Sequence, residues 1–162
     1  MNNIKAKKSL GQNFLIDENI KKKIISSVNV TDNSLIIEVG PGSGAITKHL
    51  VNLGVPVIAF EIDKRLKSEL DKIDTCNLKV IYEDFLNVDL KDILSSYDEK
   101  EVHLVANLPY YITTPIINKM IEEVLPLEMV VMVQKEVGDR FKAIPNTKEY
   151  NSLSVFLQYY YD

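Results

Sequence analysis

The sequence lacks the features that mark a membrane protein or a protein of an oxidising compartment. No stretch approaches the roughly 18 consecutive apolar residues of a membrane span. The beginning of the chain, residues 1–5, has no apolar core of the signal-peptide kind. The single cysteine, Cys76, excludes a disulfide within the chain, and with only two histidines it argues against a zinc site. We therefore expect a cytoplasmic protein with no membrane span and no metal.

The composition is that of an ordinary globular domain, with 162 residues, 46% hydrophobic and 26% charged. The net charge of −4 argues against binding nucleic acid over the whole surface. Residues 1–23 differ, because they hold six lysines against two acidic residues. That basic end could contact phosphates, although a solvated helix face would explain it equally well.

Apolar runs alternate with amphipathic stretches, a pattern that predicts a parallel sheet covered by helices on both faces. The predicted strands are residues 35–39, 57–60, 78–82, 102–106, 129–133 and, at the end of the chain, 153–161. The predicted helices are residues 45–53, 63–73, 89–95, 114–124 and 135–141. For the helix at 114–124 we expect Thr113 or Thr114 as the N-cap and Pro115 in the first turn.

Four positions follow successive predicted strands at nearly equal intervals. Gly40 lies in a glycine-rich turn at 38–44, and Glu61, Asp84 and Asn107 follow at intervals of 21, 23 and 23 residues. The carboxyl ends of parallel strands meet at one edge of a sheet, which is where open α/β folds bind ligands. The glycines let the backbone approach a ligand, and the helix that follows favours an anionic group at its N-terminus.

The residue types at these positions indicate an adenosine-containing cofactor. A carboxylate at Glu61 can accept both hydroxyls of a ribose, and Asp84 can accept from the amino group of an adenine. A dehydrogenase is an alternative, because Gly40-x-Gly42-x-x-Ala45 also fits the dinucleotide fingerprint, with Glu61 about 20 residues further on. Asp84 and the segment that begins at Asn107 favour a methyl donor, since a dinucleotide site needs neither.

The segment Asn107-Leu108-Pro109-Tyr110 has the form of a site that methylates the exocyclic amine of a nucleobase. The Asn side-chain oxygen and a backbone carbonyl can each accept one amine N–H, which frees the nitrogen lone pair for attack. The proline cannot donate a hydrogen bond, and the tyrosine offers a face for base stacking. A turn after a strand would have the same sequence, so the spacing argument decides between the two. His49 and His103, placed in a helix and a strand, offer no well-placed acid or base for hydride transfer.

Four motifs resemble those of the ribosomal RNA adenine N6-dimethyltransferases of the KsgA (RsmA) type, in the family's order. They are Lys8-Ser9-Leu10-Gly11-Gln12-Asn13-Phe14-Leu15, the segment 38–47, the segment 107–115 and the segment 133–140. The resemblance implies a Rossmann-like class I methyltransferase fold, S-adenosylmethionine as the cofactor, and two adjacent adenosines near the 3′ end of small-subunit (16S) ribosomal RNA as substrates. It also implies a role in ribosome biogenesis, with the small ribosomal subunit as the partner of a monomeric enzyme.

The resemblance also assigns roles to individual residues. The implied cofactor-binding residues are Gln12, Asn13, Leu15, Gly40, Gly42, Glu61, Ile62, Asp84, Phe85 and Asn107. Among them, Gly40 is expected against the methionine part, Glu61 at the ribose and Asp84 at the adenine. Asn107 and the Leu108 carbonyl are expected to hold the target amine, with Pro109 beside them and Tyr110 stacked on the base. Residues 1–30 are expected to form a basic helical segment that packs over the cofactor.

The resemblance covers the cofactor-binding domain, which we expect to be residues 1–162. Members of the family continue past this point with a final strand and a small helical domain, so we expect a chain that lacks them. Three alternatives remain open at this stage. They are a resistance-type methyltransferase acting on large-subunit ribosomal RNA, an NAD-dependent dehydrogenase, and a non-catalytic module that binds the ribosome or assists its assembly.

Overall fold

The structure is a computed structural model that describes residues 15–108 and 111–161. The strands are β1 (Ser34–Val39), β2 (Val57–Phe60), β3 (Leu78–Ile81), β4 (Glu101–Asn107) and β5 (Glu128–Met132). The helices are α1 (Glu18–Ser26), α2 (Thr47–Leu50), α3 (Lys67–Leu70), α4 (Leu90–Leu94), α5 (Thr113–Glu123), α6 (Lys135–Phe141) and α7 (Ser152–Tyr160). None of the helices in the described part of the chain is long and apolar enough to cross a membrane.

The strands form one parallel sheet in the order β3-β2-β1-β4-β5. The chain proceeds from β1 to β3 in one direction and then returns to place β4 on the other side of β1. The strand order therefore reverses between β1 and β4, which creates a crevice at their carboxyl ends. The predicted parallel sheet is confirmed, and five of the six predicted strands correspond to β1–β5 within one residue at each end.

Helices cover both faces of the sheet, as predicted, and β1 between them is therefore buried along its whole length. Leu35 and Ile37 point to one face, where they pack against Ile116 and Met120 of α5. Ile36 points to the other face and packs with Ile24 of α1 and with residues of α2. Successive side chains of β1 thus contribute in turn to the hydrophobic cores on the two faces of the sheet.

Two predicted helices are shorter than expected. Over residues 45–53 the helix α2 passes directly into a 3₁₀ turn, Val51–Leu53. Over residues 63–73 a 3₁₀ turn, Lys64–Leu66, comes first and α3 follows. Such turns are common at helix ends. The predicted N-cap of α5 is wrong, because Ile112 holds that position and Thr113 is already helical, whereas Pro115 does lie in the first turn.

The predicted strand at residues 153–161 is wrong, because this segment forms α7. Asn151 caps the helix by accepting from the backbone N–H of Leu153 and Ser154, and the Ser154 hydroxyl accepts from the Asn151 N–H at 3.2 Å. This reciprocal arrangement is a capping box. Leu153, Phe156 and Leu157 then pack on one side against α5. Their i, i+3, i+4 spacing is helical, and the run of β-prone tyrosines beside it concealed that period.

Candidate functional site

A pocket opens at the carboxyl edge of the sheet, where the strand order reverses. It is lined by Leu15, Val39, Gly40, Pro41, Gly42, Ser43, Ala45, Ile46, Phe60, Glu61, Ile62, Glu83, Asp84, Phe85, Asn107, Leu108, Tyr111, Ile112 and Ile116. The lining includes each predicted site residue that the structure describes. Gln12, Asn13, Pro109 and Tyr110 lie outside the described residues. Four separate strand ends therefore meet at one pocket, as the sequence spacing predicts.

The glycine-rich turn after β1 forms the floor of this pocket. Gly40 has φ of +73° and donates its N–H to the Phe60 carbonyl at 3.0 Å. A Cβ at Gly40 would meet no other heavy atom within 4 Å, so the need for glycine there is conformational and the backbone stays open to the pocket. Gly44 differs, because a Cβ there would lie 2.5 Å from Ile73 Cδ1. The turn therefore faces open space at Gly40 and contacts the side chain of Ile73 at Gly44.

The Glu61 side chain, at the end of β2, is held by two backbone donors from different segments. Its Oε2 accepts from the Gly42 N–H at 3.0 Å, and its Oε1 accepts from the Asp63 N–H at 2.8 Å. Glu61 is 3% exposed, and burial raises the pKa of its carboxyl. The backbone N–H groups of Asp63, Gly42 and Ile62 oppose that rise, and the nearby Asp63 charge adds to it. Each carboxylate oxygen keeps one further lone pair, which can accept from a ligand.

Asp63 and Arg65 form a bidentate ion pair immediately after Glu61. Arg65 Nε donates to Asp63 Oδ1 at 2.9 Å, and Arg65 Nη2 donates to Asp63 Oδ2 at 2.6 Å. Asp63 also caps the 3₁₀ turn by accepting from the Arg65 backbone N–H. The turn that supplies one of the two donors to Glu61 is therefore fixed by this ion pair.

The end of β3 brings two more carboxylates to the pocket. Asp84 Oδ1 accepts from the Leu86 N–H at 3.0 Å and so caps a 3₁₀ turn, Phe85–Asn87. Capping occupies one of its oxygens and leaves the other available to a ligand. Glu83 is exposed and also lines the pocket. The Phe85 ring packs edge-on against Phe60 with centroids 5.1 Å apart, which makes this end of the pocket aromatic.

Glu38 lies behind the glycine turn and is 2% exposed. Burial raises the pKa of its carboxyl to about 8, and the Glu61 charge adds to the rise. Among the described residues, neither Glu38 Oε2 nor Thr47 Oγ1 has a hydrogen-bond partner. Glu38 is therefore held largely in its neutral form at pH 7, where burial costs less than for a charged carboxylate.

Asn107 and Leu108 occupy the end of β4, beside β5. Asn107 is in register with Met132, and the Leu108 N–H donates to the Met132 carbonyl at 3.2 Å. This bond continues the ladder past the strand and fixes where the segment leaves the sheet. Tyr111, 53% exposed, lines the pocket just beyond. A polar amide and an exposed ring therefore stand at the rim nearest β5.

Both histidines lie outside the pocket lining, and His103 has a structural role. It is 1% exposed inside β4, with Nε2 3.0 Å from Ser34 Oγ and Nδ1 3.3 Å from Glu128 Oε2. These contacts join β1, β4 and β5 toward their amino ends. His103 therefore connects the three strands and does not line the pocket.

The predicted site residues do not include two polar or aromatic residues of the lining, Glu83 and Tyr111, or the buried Glu38 behind it. Glu83 and Tyr111 are adjacent to predicted site residues, and this adjacency was the only signal available for them. Glu38 belongs to the glycine motif, but its full burial depends on packing between β1 and α2 that a local pattern does not reveal.

Comparison with known proteins agrees with this arrangement. The family model described as ribosomal RNA adenine dimethylase matches residues 3–162. A relative from Bacillus pumilus (strain SAFR-032), named ribosomal RNA small subunit methyltransferase A, is 53% identical over 161 residues, covering 95% of this chain and 54% of the relative. The chain spans about half the length of the curated relatives it matches.

Solved structures with the same fold belong to related proteins. A dimethyladenosine transferase from Plasmodium falciparum superposes with a TM-score of 0.72 at 28% identity, covering 90% of this chain and 51% of that one. The 23S rRNA methyltransferase ErmE gives a TM-score of 0.63, also at 28% identity, covering 79% of this chain and 50% of that one. The predicted Rossmann-like methyltransferase fold is therefore confirmed. On its sequence and its fold, this chain belongs to the ribosomal RNA adenine dimethylase family.

Proposed function

We propose that this protein dimethylates the N6 atoms of two adjacent adenosines near the 3′ end of small-subunit ribosomal RNA, with S-adenosylmethionine as the methyl donor. The observation that carries the proposal is the meeting of Gly40, Glu61, Asp84 and Asn107 in one pocket. Membership of the ribosomal RNA adenine dimethylase family gives that pocket its chemistry.

The charge of the pocket fits a cationic cofactor. Its lining contains the carboxylates of Glu61, Glu83 and Asp84, and none of the described lining residues is a lysine or an arginine. S-adenosylmethionine carries a sulfonium and an ammonium group, which such a lining attracts. The pyrophosphate of a dinucleotide would be repelled by the same carboxylates. This charge distribution favours the methyl donor over the NAD-dependent alternative.

Each part of the cofactor has a matching group in the pocket. The two unused lone pairs of Glu61 suit the two hydroxyls of a ribose, and the second oxygen of Asp84 suits an adenine amino group. Ile62 and Phe85 supply apolar surface for the adenine, while Gly40 and Gly42 let the backbone lie against the methionine part. Leu15 contributes from the segment before α1. We include Gln12 and Asn13 in this site, within a basic segment of residues 1–30 that packs over the cofactor.

The target adenine is proposed to bind at the β4 rim. The Asn107 side chain and the Leu108 carbonyl accept the two amine hydrogens, and Tyr110, positioned by Pro109, stacks on the base. A neutral amine needs no base before attack, so positioning and stabilisation of the developing positive charge suffice. S-adenosylmethionine supplies the methyl group when bound. The adenosine reaches this site only if it is exposed or flipped out of its helix.

The small subunit is favoured over the large subunit as the partner. The chain is 53% identical to a protein named for the small subunit but 28% identical to ErmE, whose name refers to 23S rRNA. A cytoplasmic, monomeric enzyme that acts during ribosome biogenesis is the simplest form of the proposal. A role in assembly of the small subunit without catalysis is the second candidate, and the experiment below separates the two.

Methylation of separated ribosomal subunits tests the proposal. The protein is incubated with S-adenosylmethionine and with small or large subunits that lack the modification, and the nucleosides are then identified by mass spectrometry. We expect N6,N6-dimethyladenosine at two neighbouring positions of the small-subunit RNA. Modification of large-subunit RNA alone would identify the resistance-type activity. Binding of small subunits without any methylation would favour the assembly role.

A further inference from the structure

We propose that Arg65 is a positioning residue of the cofactor site, which acts through Asp63 to keep the Glu61 carboxylate charged and directed into the pocket. The inference deepens the proposed function, because it rests on Glu61 as the ribose acceptor. Arg65 does not line the pocket, and none of the sequence motifs that led to the site includes it.

Arg65 binds Asp63, and the Asp63 backbone in turn binds Glu61. Glu61 depends on two backbone donors, and one of them is the Asp63 N–H, at 2.8 Å from Oε1. The Asp63 carboxylate, 5% exposed, binds Arg65 through Nε and Nη2, so both of its oxygens are engaged. A planar guanidinium in this fork fixes the orientation of the carboxylate in a way that an ammonium cannot. The backbone of the turn, and with it the donor to Glu61, is thereby held in place.

The charges point the same way. Among the described residues, the titratable groups that interact with Glu61 are Glu38 from β1, Asp63 from its own turn and Tyr82 after β3. Burial raises the pKa of Glu38 to about 8 and that of Tyr82 to about 12, so both are largely neutral at pH 7 and Asp63 supplies the negative charge. The Asp63 charge raises the pKa of Glu61. Arg65 balances that charge at 2.6 Å, although its side chain is 48% exposed and partly screened by solvent. Loss of Arg65 would leave a buried carboxylate beside Glu61 with less compensation.

A substitution series with opposite expected signs tests the proposal. The Glu61 carboxyl is titrated by carbon-detected NMR in the ligand-free protein. Arg65→Ala is expected to raise the pKa of Glu61 by about one unit, whereas Asp63→Asn, which keeps the backbone donor and removes the charge, is expected to lower it. Lys72→Ala is the matched control, because it removes the same charge from an exposed pair with Glu69 on the same segment. A rise in the pKa of Glu61 in both variants would show that the ion pair only fixes the turn, and would overturn the proposal that Arg65 keeps Glu61 charged.

Cofactor binding provides the second readout. Below the pKa of Glu61, Arg65→Ala is expected to weaken S-adenosylmethionine binding by about tenfold, with a smaller loss at higher pH. Arg65→Gln, which keeps a donor for Asp63, carries the same expectation if the alanine variant fails to fold. Equal Glu61 titrations in Arg65→Ala and Lys72→Ala would overturn the proposal. If the Glu61 titrations shift as expected and the wild-type protein binds no S-adenosylmethionine, the proposed function fails while the positioning of Glu61 by Arg65 stands.

Discussion

Replacement of Glu61 by Gln tests the cofactor site with almost no change in side-chain volume. Gln has one carbonyl oxygen, whereas Glu61 uses both oxygens to accept backbone N–H groups from Gly42 and Asp63. One of these donors therefore loses its acceptor, and a ribose hydroxyl on that side meets an amide NH₂ instead of a lone pair.

The magnitude follows from the number of charged hydrogen bonds that are lost. A hydrogen bond to a charged group contributes about 1.5–3 kcal/mol, so the loss of one from the ribose predicts a dissociation constant about 10- to 150-fold higher. The free energy of unfolding should change less than the binding free energy, because Glu61→Gln also removes a charge whose burial is unfavourable. We expect a decrease of about 2 kcal/mol or less in the free energy of unfolding.

Isothermal titration calorimetry with S-adenosylmethionine measures the first quantity, and urea unfolding measures the second. Glu69→Gln is the matched control, because it makes the same substitution in a surface pair with Lys72. If Glu61→Gln binds the cofactor as tightly as Glu69→Gln does, the assignment of Glu61 to the ribose is refuted.

Three further substitutions test other parts of the account. Asn107→Ala should reduce methyl transfer at least about 100-fold through loss of the amine acceptor, while cofactor affinity stays within severalfold of the wild type. Asn52→Ala is the control at an exposed position. Equal losses of methyl transfer and of cofactor affinity in Asn107→Ala would contradict the assignment. Glu38→Gln should flatten the pH dependence of the free energy of unfolding. The pKa of Glu38 rises from 4.5 to about 8 on folding, so the wild-type protein loses stability between pH 4.5 and 8, by at most about 1.4 kcal/mol per pH unit. Parallel plots of the free energy of unfolding against pH for the variant and the wild type would refute this prediction. Gly44→Ala should destabilise more than Gly54→Ala by about 1 kcal/mol or less. Both glycines have positive φ, but only a Cβ at Gly44 would meet a neighbour, the end of the Ile73 side chain, which must shift. Equal losses in thermal unfolding would contradict the packing argument.

The strands were predictable because buried parallel strands are continuous apolar runs. The nearly equal intervals from Gly40 to Asn107 then placed four residues at one edge, and the sheet brings all four to one pocket. Local sequence is sufficient for this part of the fold, because one strand, one helix and two short loops always return the chain to the same edge.

The features that the sequence did not predict depend on contacts between distant segments. The apolar residues of α7 pack against Ile117 and Ile121 of α5, which lie more than 30 positions earlier in the chain. The ion pair of Asp63 with Arg65 is short in sequence, but its effect on Glu61 depends on side-chain geometry that a pattern does not contain. The sequence does not distinguish Glu38 from an exposed carboxylate of a strand, because its burial depends on how α2 packs against β1.

A crystal structure of the protein with S-adenosylmethionine would test the central claim most directly. The account predicts both ribose hydroxyls within hydrogen-bonding distance of the two Glu61 oxygens, the adenine amino group at Asp84, and the methyl group facing Asn107. A cofactor whose ribose lies away from Glu61, or that binds outside the pocket at the carboxyl edge of β1 and β4, would contradict it.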